Sequence, residues 1–207
     1  MKVFVFGGGE DVGEYILKRL KAEGHEAVTV SEEENRAEEL RMMGASVRVV
    51  AENDDFTEAL AGCEAIIFVA NANPAAGESK NVLVDHKAVA DSLEKASLQG
   101  IERLIYLSPV RVDESEESEK TGAKGRPEEL IKQNGFIYTI VRTAKTVSKP
   151  GKGTIEAAES LGRSEGEIPY EDTAAVLVEA LADKATFNKA FEIAEGETPI
   201  KEALHAL

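Results

Sequence analysis

The sequence predicts an α/β fold, a doubly wound parallel sheet with helices on both faces and a small C-terminal lobe. Two observations predict it: short apolar runs alternate with amphipathic segments, and the first run leads directly into a glycine-rich turn. Strands that are apolar on both sides are typical of parallel sheets covered by helices, which right-handed crossovers build into a doubly wound sheet. We expect one domain over residues 1–207, with residues 147–207 contributing the small lobe.

The predicted strands are short, and the segments between them show helical periodicity. Val12, Ile16 and Leu20 repeat at every fourth position after the first strand, which predicts an amphipathic helix. Comparable apolar faces recur over residues 82–96, 174–181 and 200–207. The six predicted strands are Val3–Phe6, Ala27–Val30, Val47–Val50, Ala65–Ala70, Leu104–Leu107 and Phe136–Val141.

Three further segments show neither pattern clearly. Residues 31–40 hold five acids against Arg36, which indicates a solvated face or a mobile loop. Residues 113–126 contain few apolar side chains and predict an exposed flap. Residues 147–167 are rich in glycine, lysine and serine and have weak strand character, so we expect them to form the small lobe with a helix near residues 171–183.

Composition and charge narrow the classes of function. The chain has 24 basic and 39 acidic residues, a formal net charge of −15, and so acidic a surface repels nucleic-acid phosphates and anionic lipids. The single cysteine, Cys63, allows neither an intrachain disulfide nor a cysteine-based metal site. No apolar run approaches the ~18 residues of a transmembrane helix, and no signal-peptide pattern is present. We therefore expect a cytoplasmic monomer or weak dimer with a small-molecule substrate, no nucleic-acid or membrane partner and no metal.

The strongest local signal is a glycine-rich turn between the first predicted strand and the first predicted helix. It reads Gly7-Gly8-Gly9-Glu10-Asp11-Val12-Gly13. Gly7 would allow a tight turn, and Gly13 would let the helix pack closely on the strand. The first amides of the helix and its positive dipole end would then face a diphosphate. The pattern predicts a dinucleotide site, with a glycine-rich turn of purely structural origin as the alternative.

With this turn, the chain resembles the atypical short-chain dehydrogenase/reductase family, in its NAD(P)H-binding, NmrA-like group. The resemblance covers nearly the whole chain and rests on motifs in matching order and spacing. Besides the glycine turn, these are Gly62–Ile67, Gly100–Ser108, Tyr138–Arg142, Ile168–Asp172 and Thr198–Leu204. The resemblance implies a Rossmann core that binds a nicotinamide cofactor across the C-terminal strand ends, with the lobe closing over the substrate side. It names no substrate.

The resemblance assigns cofactor binding to the glycine turn and the strand ends. Glu10 replaces the middle glycine of the family's turn, and with Asp11 it either competes with phosphate for the helix N-terminus or caps that helix. Glu32 stands where an arginine often binds the 2′-phosphate of NADP, so NAD is favoured over NADP; a surface acid without a ligand is the alternative. The assigned positions are Gly7, Gly9, Glu10, Asp11, Val12, Gly13, Glu32, Glu52, Asn53, Ala70, Asn71 and Thr143.

The same resemblance assigns the catalytic positions to Ser108 and Lys124. Typical short-chain dehydrogenases use a serine that orients a carbonyl, a proton-donating tyrosine and a lysine four positions later. Lys120 stands in the place of that tyrosine, and Pro127 predicts that a helix starts there, which leaves Lys124 on the flap. Two hypotheses stay open: a nicotinamide-dependent oxidoreductase or isomerase, or a non-catalytic nucleotide or redox sensor, including one whose degenerate site binds no dinucleotide.

Overall fold

The computed structural model describes residues 1–9, 11–50, 55–69, 86–109, 127–143, 145–162 and 166–207. Its strands are β1 (Lys2–Phe6), β2 (Glu26–Ser31), β3 (Ser46–Val49), β4 (Ala65–Val69), β5 (Arg103–Pro109), β6 (Ile137–Thr143), β7 (Lys145–Val147), β8 (Thr154–Ala158), β9 (Glu167–Pro169), β10 (Lys189–Glu195) and β11 (Thr198–Pro199). Its α-helices are α1 (Val12–Ala22), α2 (Glu34–Met43), α3 (His86–Leu98), α4 (Pro127–Gln133), α5 (Tyr170–Glu179) and α6 (Ile200–His205). Short 3-10 helices lie at Thr57–Leu60 and Lys184–Thr186.

Among the described residues, nine strands form one sheet in the order β11-β8-β10-β6-β5-β4-β1-β2-β3. Neighbouring strands from β3 to β10 are parallel, whereas β8 pairs antiparallel with β10 and β11. The order β3-β2-β1-β4-β5-β6 is that of a Rossmann-like doubly wound sheet, so the predicted fold class is confirmed. Each predicted strand is present within two residues of its expected bounds. A separate parallel pair joins β7 to β9.

The sheet buries an apolar layer on each face because side chains alternate along every strand. Val3 and Val5 of β1 belong to the core layer that contains residues of α1 and α5. Phe4, on the same strand, belongs to the opposite layer, which contains residues of α3 and α4. Burial on both sides explains the continuous apolar runs from which the strands were predicted.

The acidic segment 31–40 lies largely in a helix and is not the mobile loop offered as one alternative. α2 buries Ala37 and Leu40 against the sheet and exposes its glutamates, so the expectation of a solvated face is the one that agrees with the structure. None of the helices in the described part of the chain is long and apolar enough to cross a bilayer.

Arg103 fixes the C-terminal end of α5 to the edge of the sheet where β5 begins. Only 5% of this residue is exposed, and its guanidinium donates to the carbonyl oxygens of Ala180 (2.7 Å) and Ile137 (2.6 Å) and to Thr139 Oγ1 (2.6 Å). Burial lowers the pKa of Arg103 to about 10. With its C-terminus held there, α5 directs its N-terminus toward the opposite edge of the sheet.

Candidate functional site

The candidate site lies at the C-terminal edge of the parallel strands, beside the point where the strand order reverses between β1 and β4. Connections leaving these two strands diverge, and the crevice between them is where ligands bind in open α/β sheets. The glycine turn follows β1 at this edge, and Glu32 directly follows β2. Ser108 and Thr143 lie at the same ends of β5 and β6. The fold therefore gathers these predicted positions on one edge.

The glycine turn is packed too tightly for larger side chains. Gly7 has a φ of +79°, and a Cβ placed on it would lie 2.9 Å from the carbonyl oxygen of Val69. A Cβ on Gly13 would lie 2.0 Å from the carbonyl oxygen of Gly7. Gly7 thus makes the turn, and Gly13 allows α1 to approach β1, as the sequence predicted. Val12, the first residue of α1, is buried beside them.

Arg36 of α2 contacts the turn with its side chain. Its Nε donates to the carbonyl oxygen of Gly9 at 3.0 Å, and its two terminal nitrogens form ion pairs with Glu14 and Glu39. Burial acts to raise the pKa of Glu14, but the hydrogen bond and charge of Arg36 lower it overall. Two carboxylates therefore balance the charge of Arg36.

Glu32, the predicted ribose-binding position directly after β2, has an exposed side chain.

Asp11 is the N-cap residue of α1 and has an unusual backbone conformation. Its φ is 44° and its ψ is −118°, and a positive φ is uncommon in residues other than glycine. The side chain makes no capping hydrogen bond to α1, so the capping alternative is wrong for Asp11. Its carboxylate lies close enough to Tyr170, the first residue of α5, for its negative charge to raise the pKa of that phenol.

Tyr170 brings the N-terminal ends of α1 and α5 together. Its ring centroid lies 6.3 Å from that of Tyr15 in α1, with the ring planes tilted by 46°. Burial raises the pKa of Tyr170, and the negative charge of Asp11 raises it further. The structure thus joins the glycine turn to the segment that follows β9.

An ion pair between β6 and α4 lies beside the C-terminal end of β5. Ser108 is 1% exposed and lies in register with Arg142 of β6. Arg142 donates through Nε and Nη2 to the two carboxylate oxygens of Glu128 in α4, at 3.0 and 2.5 Å. Burial, and then the charge of Glu128, raise the pKa of Tyr106 well above its usual value. Ser108 is therefore a buried residue at the end of its strand.

Thr143 carries a buried hydroxyl without a hydrogen-bond partner. Thr143 is 0% exposed. Among the described side chains, Thr143 Oγ1 and Ser92 Oγ of α3 are the two buried polar atoms that have no hydrogen-bond partner. Thr139, four residues earlier on the same face of β6, bonds instead with Arg103 and with the backbone of Thr186. An unpaired buried hydroxyl costs about 1–3 kcal/mol, and a ligand can supply the missing partner.

Several predicted positions lie outside the described residues: Glu10, Glu52, Asn53, Ala70, Asn71 and Lys124. In the ranges that the structure does describe, no group of three or more His, Cys, Asp or Glu side chains is arranged to bind a metal ion.

The described residues fit a dinucleotide. The turn has no Cβ atoms where α1 approaches β1, which suits the close backbone approach of a diphosphate, and Thr143 offers an unpaired hydroxyl. Two strands, β4 and β5, separate β1 from β6, so the glycine turn and Thr143 are about 14 Å apart across the strand ends. An extended ligand could span that distance.

Sequence reasoning missed the side-chain contacts around this site. It singled out the segment that contains Tyr170 but gave no reason to pair it with Asp11. It also gave no sign that Arg36 reaches the turn or that Glu128 pairs with Arg142. These contacts join residues far apart in the chain, and no local spacing encodes them.

Comparisons with known proteins agree with this geometry. Residues 7–184 match a family described as NAD(P)H-binding. The chain is 32% identical to the uncharacterized sugar epimerase YhfK of Bacillus subtilis strain 168, with all of both chains covered. Among solved structures, it is similar to a protein of Bacillus halodurans provisionally named an NAD-dependent epimerase/dehydratase, with 30% identity, a TM-score of 0.86 and all of both chains covered.

A more distant structure shows the same fold. It is a short-chain dehydrogenase/reductase of the wide type from Veillonella parvula, solved in complex with NADP. Identity is 14% and the TM-score is 0.73, with 95% of each chain covered.

Proposed function

The chain belongs to the NAD(P)H-binding family, within the atypical short-chain dehydrogenase/reductases, and from this premise we propose how its residues hold the dinucleotide and serve an oxidoreductase of unknown substrate. The observation that carries the proposal is the close approach of Gly13 to the Gly7 carbonyl at the strand-order reversal. This approach brings the first turn of α1 to the crevice with no side chain between helix and strand.

We assign diphosphate binding to the first amides of α1. They lie at the positive end of the helix dipole, and Asp11 does not cap them. Thr143 Oγ1 is assigned to the nicotinamide end, because a polar ligand group there would satisfy its buried hydroxyl. When bound, a nicotinamide cofactor supplies hydride transfer.

Ser108 and Lys124 remain our proposals for substrate and ribose contacts. Ser108 lies at the C-terminal end of β5, and it would orient a substrate oxygen by hydrogen bonding. Lys120 stands in the usual place of the tyrosine, so the phenol that donates the proton in ordinary carbonyl reduction is missing from that position. Proton transfer would therefore fall to the substrate-side residues or to solvent.

We place the substrate side at the start of α5 and the chain before it, within the small lobe predicted over residues 147–207. The buried Asp172 accepts hydrogen bonds from the amides of Lys152 (2.9 Å) and Gly153 (2.8 Å), and Glu171 accepts one from Gly151 (3.0 Å). These bonds hold the loop against the helix end that meets the glycine turn. The loop would form one wall beside the bound nicotinamide.

A redox-neutral isomerisation is the second candidate function. The relative from Bacillus subtilis, 32% identical over the whole chain, is named as a sugar epimerase. An epimerase removes a hydride and returns it, so its nicotinamide ends each turnover in its original oxidation state. Change in nicotinamide absorbance upon turnover therefore separates the two functions once a substrate is found.

We further propose that NAD is preferred to NADP. Glu32 places an exposed carboxylate directly after β2, where the 2′-phosphate of NADP would lie. Arg36, the neighbouring cation in α2, is already paired with Glu14 and Glu39. Repulsion between Glu32 and a phosphate about 4 Å away in water amounts to about 1 kcal/mol, or about fivefold in affinity.

Titration calorimetry with NAD, NADH, NADP and NADPH at moderate salt tests the proposal. We expect NAD and NADH to bind about fivefold or more tightly than the phosphorylated forms. Glu32→Gln should narrow that difference, whereas Glu33→Gln, a change at the next exposed acid, should leave it unchanged. Tighter binding of NADPH by the wild-type chain would overturn the NAD preference. Failure of all four to bind would favour the degenerate-site alternative, and Glu10→Gly would then show whether Glu10 blocks the site.

A further inference from the structure

Arg36 places a cation beside the glycine turn. Its Nε donates to the carbonyl oxygen of Gly9 at 3.0 Å, and its Nη2 bonds to the same oxygen. Glu32, which directly follows β2, precedes Arg36 on the segment that leads into α2. An arginine in this region of a dinucleotide-binding fold accommodates the 2′-phosphate that distinguishes NADP from NAD. By its position alone, Arg36 would therefore favour NADP.

Two carboxylates engage the guanidinium of Arg36. Its Nη2 also donates to Glu14 of α1, and its Nη1 donates to Glu39, one turn further along α2. Together with the bonds to Gly9, these contacts occupy four of the five N–H donors of the guanidinium. The hydrogen bond to Glu14 raises the pKa of Arg36, although burial opposes this change. One positive and two negative side chains give this cluster a net negative charge.

A 2′-phosphate brought to this cluster would meet two costs. It carries roughly 1.5–2 negative charges at neutral pH, and the cluster beside it is already net negative. To bind the guanidinium of Arg36, it would also have to displace a carboxylate from a charge-assisted hydrogen bond. NAD has a hydroxyl in place of the phosphate and meets neither cost.

We propose that Glu14 and Glu39 are positioning residues that set the cofactor preference: by engaging Arg36, they withhold its guanidinium from the 2′-phosphate of NADP and so favour NAD. This role rests on the proposed function, and it adds a contribution that acts through Arg36 to the direct repulsion by Glu32. The effects of Glu14 and Glu39 should therefore disappear when Arg36 is removed, whereas the effect of Glu32 should persist.

Glutamine variants test each carboxylate with little change of shape. Glu14→Gln and Glu39→Gln each remove one charge from the cluster. Glu38→Gln is the matched control, because it removes an exposed carboxylate of α2 that lies outside the described contacts of Arg36. Lys18 Nζ lies 3.4 Å from Glu14, so adding Lys18→Gln to Glu14→Gln shows whether Lys18 instead meets the phosphate. Thermal unfolding checks that every variant folds.

The first readout is the ratio of the dissociation constants of NADPH and NADH, measured by calorimetry at one salt concentration. Changes in the diphosphate contacts that both ligands share cancel in this ratio. We expect Glu14→Gln and Glu39→Gln each to lower it about fivefold, and Glu38→Gln to lower it less than about twofold. In an Arg36→Gln background, Glu14→Gln should change it less than about twofold, whereas Glu32→Gln should keep its effect.

Phosphorus-31 NMR of NADPH bound to the double variant Glu14→Gln, Glu39→Gln gives a second readout. Contact with the freed guanidinium of Arg36 should shift the resonance of the 2′-phosphate and lower the pKa of that phosphate, because a nearby cation favours the more highly charged form. Both changes should be absent when Arg36→Gln is added. A purely structural role of the two glutamates would leave the 2′-phosphate resonance as it is in the wild-type complex.

Three results would overturn the proposal while NADH still binds. The first is an affinity ratio that neither Glu14→Gln nor Glu39→Gln changes. The second is an equal change with and without Arg36, because that result indicates a general effect of charge. The third is tighter binding of NADPH than of NADH by the wild type. Absence of NADH binding by the wild type, in contrast, would refute the proposed function and this role together.

Discussion

Two helix ends lie side by side at the C-terminal edge of the sheet, and they use acidic residues differently. At the start of α1, Asp11 makes no bond to its helix and leaves a glycine-lined turn beside the first amides. At the start of α5, Glu171 and Asp172 accept hydrogen bonds from three consecutive loop amides at 2.8 to 3.0 Å. We refer to these as the open end and the closed end.

The difference between them shows that residue type alone does not make an anion site. Both ends have acids within the first residues of a helix and glycines nearby. At the closed end the carboxylates are occupied by backbone donors, and the result is a fixed loop. At the open end the Asp11 carboxylate makes no capping bond, so backbone donors are left for a ligand. The hydrogen-bond partners of each acid determine whether the helix end is left to bind a ligand or holds a loop in place.

The largest effect is expected from Gly13→Ala, which should destroy the open end. The new Cβ would lie 2.0 Å from the Gly7 carbonyl oxygen and 2.8 Å from Gly8 Cα, both backbone atoms. We expect unfolding free energy in urea to fall by about 3 kcal/mol and NADH binding to be lost. Gly9→Ala is the control, since its Cβ would lie 3.9 Å from the nearest atom, Arg36 Nε. Equal losses in the two variants would contradict the tight-packing explanation.

Asp172→Ala should loosen the closed end. Removing this buried carboxylate leaves the amides of Lys152 and Gly153 without their acceptor, so urea unfolding should show a loss of about 2 kcal/mol. Glu171→Ala, which removes an exposed acceptor from the same turn, should cost less than half as much. If the two variants were equally destabilised, burial of Asp172 would not be what distinguishes the closed end.

Two threonines of β6 differ in the same way, because the Thr143 hydroxyl has no hydrogen-bond partner and the Thr139 hydroxyl has several. Thr143→Val removes an unpaired buried hydroxyl and should stabilise the ligand-free protein by about 1 kcal/mol. Thr139→Val removes a hydroxyl bonded to Arg103 and Thr186 and should destabilise it by about 1–2 kcal/mol. Urea unfolding measures both. Calorimetry should show NADH binding about fivefold weaker in Thr143→Val, and destabilisation of the ligand-free protein by this variant would argue against an unpaired hydroxyl.

The smallest effect concerns an exposed ion pair beside the closed end. Hydrogen bonds from Lys149 and then Lys145 lower the pKa of Glu167 in β9. Because the folded-state pKa lies below the unfolded value of about 4.3, this stabilisation is present above that pH and is lost as pH falls through the folded-state pKa. Lys149→Gln should raise the Glu167 pKa in an NMR titration. Lys152→Gln, which removes an ion pair with Glu195, should leave the Glu167 pKa unchanged.

The sequence predicted the part of the fold that local patterns encode. Strands β1, β2, β4, β5 and β6 bury apolar side chains on both faces because they lie between helix layers, so each appears as a recognisable run, whereas the edge strand β3 is largely exposed. α4 begins at Pro127, as the proline predicted. β8, β10 and β11 were not predicted as strands of the sheet, because their pairing depends on partner strands and short strands have weak intrinsic preferences.

The candidate site likewise has a part that local sequence patterns predict and a part that they do not. Gly7 and Gly13 could be assigned roles in advance because backbone geometry allows no other residue at those points. The conformation of Asp11 could not, since an aspartate in that position is typical of a capped helix. Tyr170, whose pKa Asp11 raises, lies far along the chain, and its approach to α1 depends on how α5 packs against that helix.

Arg103 has a consequence for ligand binding although it has no access to a ligand. It lies where β5 begins, on the edge of the sheet remote from the glycine turn, and it holds the tail of a helix about 15 Å long. The head of that helix carries Tyr170. Because a helix is rigid, a change of tilt at its C-terminal end also moves its N-terminal end. Substitution of Arg103 would therefore alter ligand affinity at the opposite edge of the sheet.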